Sequence, residues 1–356
     1  MKEEKENLLV VNNAISNLSR NIIEYIRLNA IRYDKPLTGY LFSKEDYKCL
    51  WKEFKHIELR DRLLLDIMKT PGLSESPPFL FSGYCDVCQK ETGFLLESVW
   101  STNTEGLGCS SCGCNSRLRN MYGTIKKNYK KGEKVYISEM VTPFYKKLKE
   151  MIPSLTGSEY IDPEFISGSF HHGIRHEDST KLSFKDNTFD MYVSNDVFEH
   201  VFNFRQAFKE AARVLKQNGK MIFHVPFHLD LDKTVIRAKK ERNGDIKYLL
   251  DPIYHGNPLS NKGSLCVQDF GWDMFDILKD CGFKRVYAIS KNDMYKGYLN
   301  VTSLVFIAEK GYINLKRERI IFLFNKARYL IKKQGLFLTF INLFNNKILR
   351  NSFLKK

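Results

Sequence analysis

Arg175-His-Glu-Asp-Ser-Thr-Lys-Leu-Ser-Phe-Lys-Asp-Asn-Thr-Phe-Asp190 is the stretch that predicts the fold most directly, together with two short runs that follow it. The first run is Val193-Ser-Asn-Asp-Val-Phe-Glu-His-Val201, and the second is Arg213-Val-Leu-Lys-Gln-Asn-Gly219. Across these residues a strand-like run at 189–196 gives way to a helix-like segment at 204–219 that ends at a glycine. The order of a strand, a helix and another strand is typical of an α/β protein.

The same alternation extends on both sides of this stretch, from Lys134 to Lys310. Strand-like runs occur at 134–139, 155–161, 173–178, 189–196, 220–227, 284–290 and 300–310. Helix-like segments occur at 143–152, 204–219 and 272–283. Strands that alternate with helices predict a Rossmann-like, seven-stranded and mainly parallel sheet, and we expect its last two strands to form a hairpin.

Length, composition and charge allow this domain and additional modules. The chain has 356 residues, of which 43% are hydrophobic, and a net charge of +15. The charge favours anionic partners such as nucleic acid, phospholipid or a phosphorylated substrate without choosing among them. Because the first residues lack a secretory signal and no run is long enough to span a bilayer, we expect a cytoplasmic protein.

The chain is expected to contain four regions. Residues 1–78 are predicted to be helical, because apolar residues such as Ile15, Ile22 and Ile26 recur at helical intervals. A cysteine-rich module covers 79–123, the α/β domain covers 131–310, and a basic amphipathic helical tail covers 311–356. One interpretation places this tail on the anionic inner face of the membrane, and another packs it against the N-terminal helices or a partner.

Five of the eight cysteines lie between Cys85 and Cys114. Two CxxC pairs, formed by Cys85, Cys88, Cys109 and Cys112, supply four thiolates at the spacing of a zinc ribbon. In a reducing compartment such cysteines are better explained by metal binding than by disulfides. We therefore expect one structural Zn²⁺, with Cys114 as a buried or free thiol because a CxxC pair has the better loop geometry.

The motifs around residue 190 resemble those of class I S-adenosylmethionine (SAM) dependent methyltransferases. The family pattern runs from an acidic residue through L-P/S-F-x-D-x-x-F-D and E-H-V to R-V-L-K-x-G-G, and the resemblance covers Lys134 to Lys310. It implies a methyltransferase fold with SAM as cofactor, bound at the carboxyl ends of the strands. By this resemblance Glu159 would bind the ribose hydroxyls, Asp178 the adenine amino group and Asn195 the methionine portion.

The chain departs from the family after the first strand of the domain. These enzymes usually place a glycine-rich turn after an acidic residue there, whereas this chain has Glu139-Met-Val-Thr-Pro143. Thr142 and Pro143 suit an N-cap and a first helical residue, so a strand, a turn and a helix are still expected. A divergent loop in which Glu139 still holds SAM is the favoured explanation; a weak site and an inactive scaffold are the alternatives.

Histidines supply the candidates for a catalytic base. His255 lies in Tyr254-His-Gly-Asn-Pro258, where we expect an ordered loop over a pocket, and His228 and then His224 rank behind it. His200, in the E-H-V triplet, is a further candidate. Methyl transfer needs little beyond alignment of the acceptor with the sulfonium, so structural roles remain open for all of them.

Three functions are compatible with these features. The first is methyl transfer to a small or carbohydrate-type acceptor, because the YHGNP-like element and the cysteine module resemble enzymes of surface-glycan modification. The second is an RNA methyltransferase, which the charge allows, although the cysteine-rich stretch has few basic residues and no RNA-recognition signature is present. The third is a non-catalytic scaffold, suggested by the missing glycines.

Overall fold

The computed structural model describes residues 37–51, 79–96, 107–299 and 304–311. Most of the predicted N-terminal helices and the basic tail from residue 312 lie outside the described residues. The strands are β1 (Leu37–Leu41), β2 (Phe79–Cys85), β3 (Lys90–Leu96), β4 (Leu107–Cys109), β5 (Val135–Ile137), β6 (Thr156–Gly157), β7 (Phe170–His171), β8 (Ile174–Arg175), β9 (Phe189–Asn195), β10 (Leu215–His224), β11 (Val235–Ile236), β12 (Ala238–Lys240), β13 (Ile246–Tyr248), β14 (Ile253–Asn257), β15 (Ser260–Cys266), β16 (Gln268–Asp269), β17 (Arg285–Asn292) and β18 (Leu304–Glu309). The α-helices are α1 (Ser116–Asn128), α2 (Pro143–Met151), α3 (Phe204–Val214) and α4 (Met274–Asp280).

The main sheet has seven strands in the order β1-β17-β18-β10-β9-β5-β6. Strands β6, β5, β9 and β10 run parallel, while β18 lies antiparallel between β10 and β17. The strand order reverses between β5 and β9, because the chain continues from β5 to β6 on one side and from β9 to β10 on the other. This reversal is the switch point at which open α/β sheets bind ligands.

Local sequence explains why the central elements form. Strand β9 is an apolar run with buried residues on both faces, as expected for a strand in the middle of a parallel sheet. Helix α2 begins where predicted, since the hydroxyl of Thr142 accepts a hydrogen bond from the Tyr145 amide at 3.0 Å and Pro143 fills the first helical position. The predicted hairpin of the last two strands is confirmed as β17 and β18.

The sheet is covered on both faces, which gives a three-layer domain. One core combines α1 and α2 side chains such as Ile125 and Phe144 with Val193 of the sheet. The other combines α3 and α4 side chains such as Phe208 and Leu278. The first core also contains Cys85, so the cysteine-rich module shares its interior with the α/β domain instead of standing apart.

The structure corrects the predicted secondary structure in three places. The region 1–78 is not wholly helical: β1 adds a strand antiparallel to β17, with Leu37 opposite Asn292, although residues 44–51 are helical. Helix α3 ends at Val214 and not near Gly219, because Leu215 turns into the sheet beside Phe189. The predicted strand at 173–178 is reduced to the short β8 and a single parallel bridge between His176 and Glu159.

The segment between β10 and α4 consists of short strand pairs. Strand β12 pairs with β13, β14 with β15, and β11 with β16. The Tyr254–Pro258 element, predicted as a loop, lies mostly in β14, where its backbone forms ladder hydrogen bonds with β15. Among the described residues, no helix has both the length and the apolar character needed to cross a bilayer.

Candidate active site

Two predicted cofactor residues meet at the switch point of the sheet. Glu139 follows β5 and Asn195 ends β9, and the Asn195 side-chain amide donates a hydrogen bond to Glu139 Oε1 at 2.8 Å. The Thr142 hydroxyl donates to the other oxygen of the Glu139 carboxylate. The N-cap residue of α2 and the last residue of β9 therefore hold one carboxylate in a fixed orientation.

The Glu139 carboxylate is buried beside these neutral donors. Burial raises the pKa of Glu139 from an ordinary 4.5 to about 7, although the hydrogen bonds from Thr142 and Asn195 oppose this shift. A buried carboxylate with this pKa is stabilised in its charged form by any cation that approaches it. The switch point is therefore suited to a ligand with a positively charged group.

Glu159 organises the loop that lacks glycines. Its Oε1 accepts hydrogen bonds from the backbone amides of Met140 at 2.6 Å and Val141 at 3.0 Å. A glycine is still needed nearby, on strand β6: a Cβ on Gly157 would lie 2.8 Å from the Glu139 carbonyl oxygen. Gly157 on the neighbouring strand thus lets the backbone of β6 approach the backbone of Glu139 closely. Glu159 holds the loop through its hydrogen bonds to the Met140 and Val141 amides.

Asp178 is positioned by a turn of its own. Its Oδ1 accepts hydrogen bonds from the amide and the hydroxyl of Thr180, both at 2.7 Å, and its amide donates to the Ser167 hydroxyl. It follows His176, which bridges to Glu159, so it lies at the same edge of the sheet as Glu159. In the described part of the chain no hydrogen bond joins Asp178 to Glu139 or Asn195.

Two of the four histidines considered as a catalytic base lie together, and the other two, His224 and His228, lie elsewhere. The rings of His200 and His255 are 5.1 Å apart, centroid to centroid, and both face Glu199. Glu199 is completely buried, and burial raises its pKa to about 7. His228 belongs to a different group, since its Nε2 lies 3.7 Å from Asp269 Oδ1.

Sequence reasoning missed an ionic cluster beside the predicted cofactor residues. Asp196, directly after Asn195, lies 2.6 Å from Arg117 of α1 through one oxygen and 2.6 Å from His224 Nδ1 through the other. Asp196 has a φ of 47°, which is uncommon for residues other than glycine but is tolerated by aspartate. The Asn-Asp pair at a strand end was the available signal for this turn, whereas no sequence pattern indicates that Arg117 reaches it.

The four predicted zinc ligands converge at the end of the β2–β3–β4 sheet. Their sulfur atoms all lie within 4.8 Å of one another, with Cys85 to Cys112 at 3.9 Å and Cys88 to Cys109 at 3.8 Å. Tetrahedral Zn²⁺ with Zn–S bonds of about 2.3 Å requires sulfurs about 3.8 Å apart. The donor set therefore fits a closed tetrahedral site, and Cys114 is buried outside it.

Arg119 connects this module to the α/β domain. The side chain is fully buried, stacks 4.2 Å from the centroid of Phe94, and donates to the carbonyl oxygens of Leu107 and Cys114. Its second terminal nitrogen donates to the Gly297 carbonyl at 3.1 Å. One guanidinium group thus satisfies backbone acceptors on both sides of the junction.

The strand order and the switch-point residues define the fold as that of a class I methyltransferase. Comparison with protein families agrees: residues 151–223 match a methyltransferase domain, a segment that includes Glu159, Asp178 and Asn195. The matched segment contains the motifs around residue 190 that resemble this domain.

Two proteins of Methanocaldococcus jannaschii are related in sequence. The chain is 28% identical to the uncharacterized protein MJ1123 over 149 residues, which are 39% of this chain and 60% of that protein. It is 38% identical to the uncharacterized protein MJ0638 over 109 residues, which are 31% of this chain and 36% of that protein. The chain therefore matches about 60% and about a third of these two relatives.

Solved structures give weaker likenesses. A SAM-dependent methyltransferase from Mesorhizobium loti is 13% identical with a TM-score of 0.35, and the match covers 53% of this chain and 96% of that one. The PH0226 protein from Pyrococcus horikoshii is 19% identical with a TM-score of 0.33, covering 55% of this chain and 90% of that one. The fold assignment accordingly rests on the strand order and the domain match.

Proposed function

We propose that the protein transfers a methyl group from SAM to a small or carbohydrate-type acceptor, at the carboxyl ends of β5, β6 and β9. The observation that carries the proposal is the hydrogen bond between Asn195 and Glu139 across the switch point. SAM has a cationic amino group and a cationic sulfonium, and Glu139 is a buried carboxylate that accepts hydrogen bonds from the neutral side chains of Thr142 and Asn195. A cation beside Glu139 would relieve the cost of burying that charge.

The remaining cofactor contacts are assigned to residues at the same edge. Glu159 has one oxygen on the loop amides, which leaves the other for the ribose hydroxyls. Asp178 is held by Thr180 through Oδ1 alone, which leaves Oδ2 for the adenine amino group. Asn195 would contact the methionine portion. The chemistry supplied by SAM is an electron-poor methyl group, so the protein's task is to align donor and acceptor.

The acceptor side is assigned to the connection after β9 and to the β14–β15 pair. Glu199 is completely buried, and His200 and His255 are only partly exposed. A hydroxyl on a small molecule or a sugar is small enough to reach groups buried to this extent. Surface-glycan modification is the setting that we favour, because the YHGNP-like element and the cysteine module resemble those of such enzymes.

We further propose that Cys85, Cys88, Cys109 and Cys112 hold a structural Zn²⁺. The sulfur separations support a closed site, in which four thiolates fill the coordination shell and no position stays open for water. Metal analysis of the purified chain is expected to give one tightly held zinc, and a folded chain without zinc would contradict this assignment.

Calorimetry with SAM and with its demethylated product tests the cofactor site. Asn195→Ala is expected to weaken binding about fivefold to tenfold, the usual effect of losing one or two hydrogen bonds. Asn261→Ala is the matched control, because Asn261 is exposed near the start of β15. Absence of binding at millimolar SAM by the folded protein would overturn the enzymatic proposal and leave the scaffold hypothesis.

The acceptor class is tested with methyl-labelled SAM and fractions of a cell extract. Label is expected in the small-molecule or glycan fraction. Label in RNA that is lost as salt increases would replace the proposed acceptor with nucleic acid.

A further inference from the structure

A second group of metal-ligating side chains lies apart from the four cysteines. Glu199 and His200 come from the turn after β9, and His255 comes from β14, 55 residues further along the chain. One ligand atom from each of these three residues lies within 4.8 Å of the other two. His255 Nδ1 is 3.6 Å and His200 Nε2 is 3.7 Å from the same Glu199 oxygen, Oε1.

The hydrogen bond at Nδ1 of His200, the ring nitrogen that does not face Glu199, fixes the tautomer of this histidine. Nδ1 lies 2.8 Å from the carbonyl oxygen of Leu265, which can only accept, so Nδ1 carries the proton. In the neutral ring, Nε2 then presents a lone pair towards the Glu199 carboxylate. A histidine that donates one ring nitrogen to a backbone carbonyl and offers the other as a lone pair has the arrangement found in metal sites.

Glu199 lacks the partners that a buried carboxylate requires. Its side chain is completely buried, and the His255 Nδ1 atom that faces it lies 3.6 Å from Oε1, which is longer than an ordinary hydrogen bond. An unpaired buried carboxylate costs several kcal/mol of folding free energy or more, which natural sites offset with a cation. The Glu199 carboxylate, Nε2 of His200 and Nδ1 of His255 converge on one point, which indicates where that cation would lie.

We propose that Glu199, His200 and His255 bind a divalent transition-metal ion. Two imidazoles and one carboxylate favour Zn²⁺, Mn²⁺, Fe²⁺ or Co²⁺ over Mg²⁺, which prefers oxygen ligands. Bonds of about 2.0–2.2 Å place neighbouring ligand atoms about 3–3.5 Å apart. The two distances from Glu199 Oε1 to the imidazole nitrogens, 3.6 and 3.7 Å, therefore need to close by only a few tenths of an ångström. Three protein ligands leave coordination positions open for water or substrate.

The position of this site gives the ion a role, which rests on the proposed function. Glu199 follows Asn195 by four residues on the connection that leaves β9, so the ion would lie next to the cofactor end of the sheet. An open position would take an oxygen of the acceptor, orient it and lower the pKa of its hydroxyl. His200 and His255 would then act as ligands and not as the base considered from the sequence.

Titration with Mn²⁺, followed by the electron paramagnetic resonance of the free ion, tests the site without SAM. Mn²⁺ prefers nitrogen and oxygen ligands to thiolates, so the cysteine cluster does not contribute to the count. The zinc-containing, full-length protein is expected to bind one Mn²⁺. Glu199→Gln, which keeps the shape of the side chain, and His255→Ala should each weaken binding at least tenfold.

His228→Ala is the matched control, because His228 belongs to the Asp269 group, and it should bind Mn²⁺ like the unaltered protein. Circular dichroism of each variant confirms that the fold is kept. Failure of the folded protein to bind Mn²⁺ or Co²⁺ at millimolar concentration, or unchanged binding by Glu199→Gln, would overturn the metal site. Calorimetry with SAM on the same samples shows separately whether the cofactor site is intact.

Discussion

Replacing Glu139 with glutamine should stabilise the protein at alkaline pH and impair cofactor binding. Burial places the pKa of Glu139 at about 7 in the folded state, compared with about 4.5 in the unfolded chain. The folded state therefore holds a proton that the unfolded state releases between these two values. Stability contributed by this group is present below pH 4.5 and is lost as the pH rises through 7.

The loss is large enough to measure. The rise in the pKa of Glu139 from 4.5 to about 7 corresponds to a loss of about 3 kcal/mol in the free energy of unfolding once the pH is above 7. A glutamine at position 139 has no charge to bury. Its side-chain oxygen can still accept the hydrogen bond from Asn195, and its NH2 group can donate a hydrogen bond to the Thr142 hydroxyl oxygen. Relative to the unaltered protein, Glu139→Gln should be more stable at pH 8 than at pH 5 by about 2–3 kcal/mol.

Urea unfolding at the two pH values measures this effect, with Glu150→Gln as the control. Glu150 is exposed and pairs with Lys147 on the surface of α2, so its replacement should give no pH-dependent gain. Saturating SAM should stabilise the unaltered protein at pH 8 much more than Glu139→Gln, because a cation beside the carboxylate favours its charged form. If Glu139→Gln and the unaltered protein differed in stability by the same amount at both pH values, the burial argument would be refuted. If SAM stabilised the two proteins equally at pH 8, Glu139 would not belong to the cofactor site.

Three further substitutions test the rest of the structure. Cys109→Ser should lose the zinc measured by elemental analysis and lower the melting temperature, whereas replacement of the exposed Cys49 should do neither. Arg119→Met should cost at least about 3 kcal/mol in urea unfolding, because buried carbonyls lose their donors, while the exposed Arg205→Met should change stability little. Glu159→Ala should weaken SAM binding at least tenfold in calorimetry, since it removes the proposed ribose contact and frees the loop amides.

Local patterns predicted the elements whose structure depends on near neighbours. The apolar run of β9, the Thr142-Pro143 start of α2 and the final hairpin are set by residues close together in the chain, and all three are confirmed. Residues 151–223, within the region where the ordered motifs predicted a methyltransferase domain, match such a domain. The paired CxxC sequences likewise predicted which four sulfurs would meet.

Long-range pairing explains what the sequence could not predict. Strand β1 finds its place only through β17, about 250 residues away, and a proline and a glycine in its surroundings favoured a break. The group of Glu199 and His255 depends on how the β14–β15 pair folds back over the turn after β9. Because neither contact has a local signature, periodicity and spacing carried no information about them.

Helix α1 explains why the cysteine module belongs to the framework of the active site. Asn115, directly after Cys114, caps the helix by accepting from the Leu118 amide at 2.9 Å, so the cysteine loop sets where α1 begins. Arg117 and Arg119 are two positions apart and therefore leave the helix on different sides. Arg119 satisfies carbonyls of the module, while Arg117 lies 2.6 Å from Asp196, next to Asn195 at the switch point. A metal that orders the cysteine loop would thus also fix the guanidinium that pairs with the turn after β9.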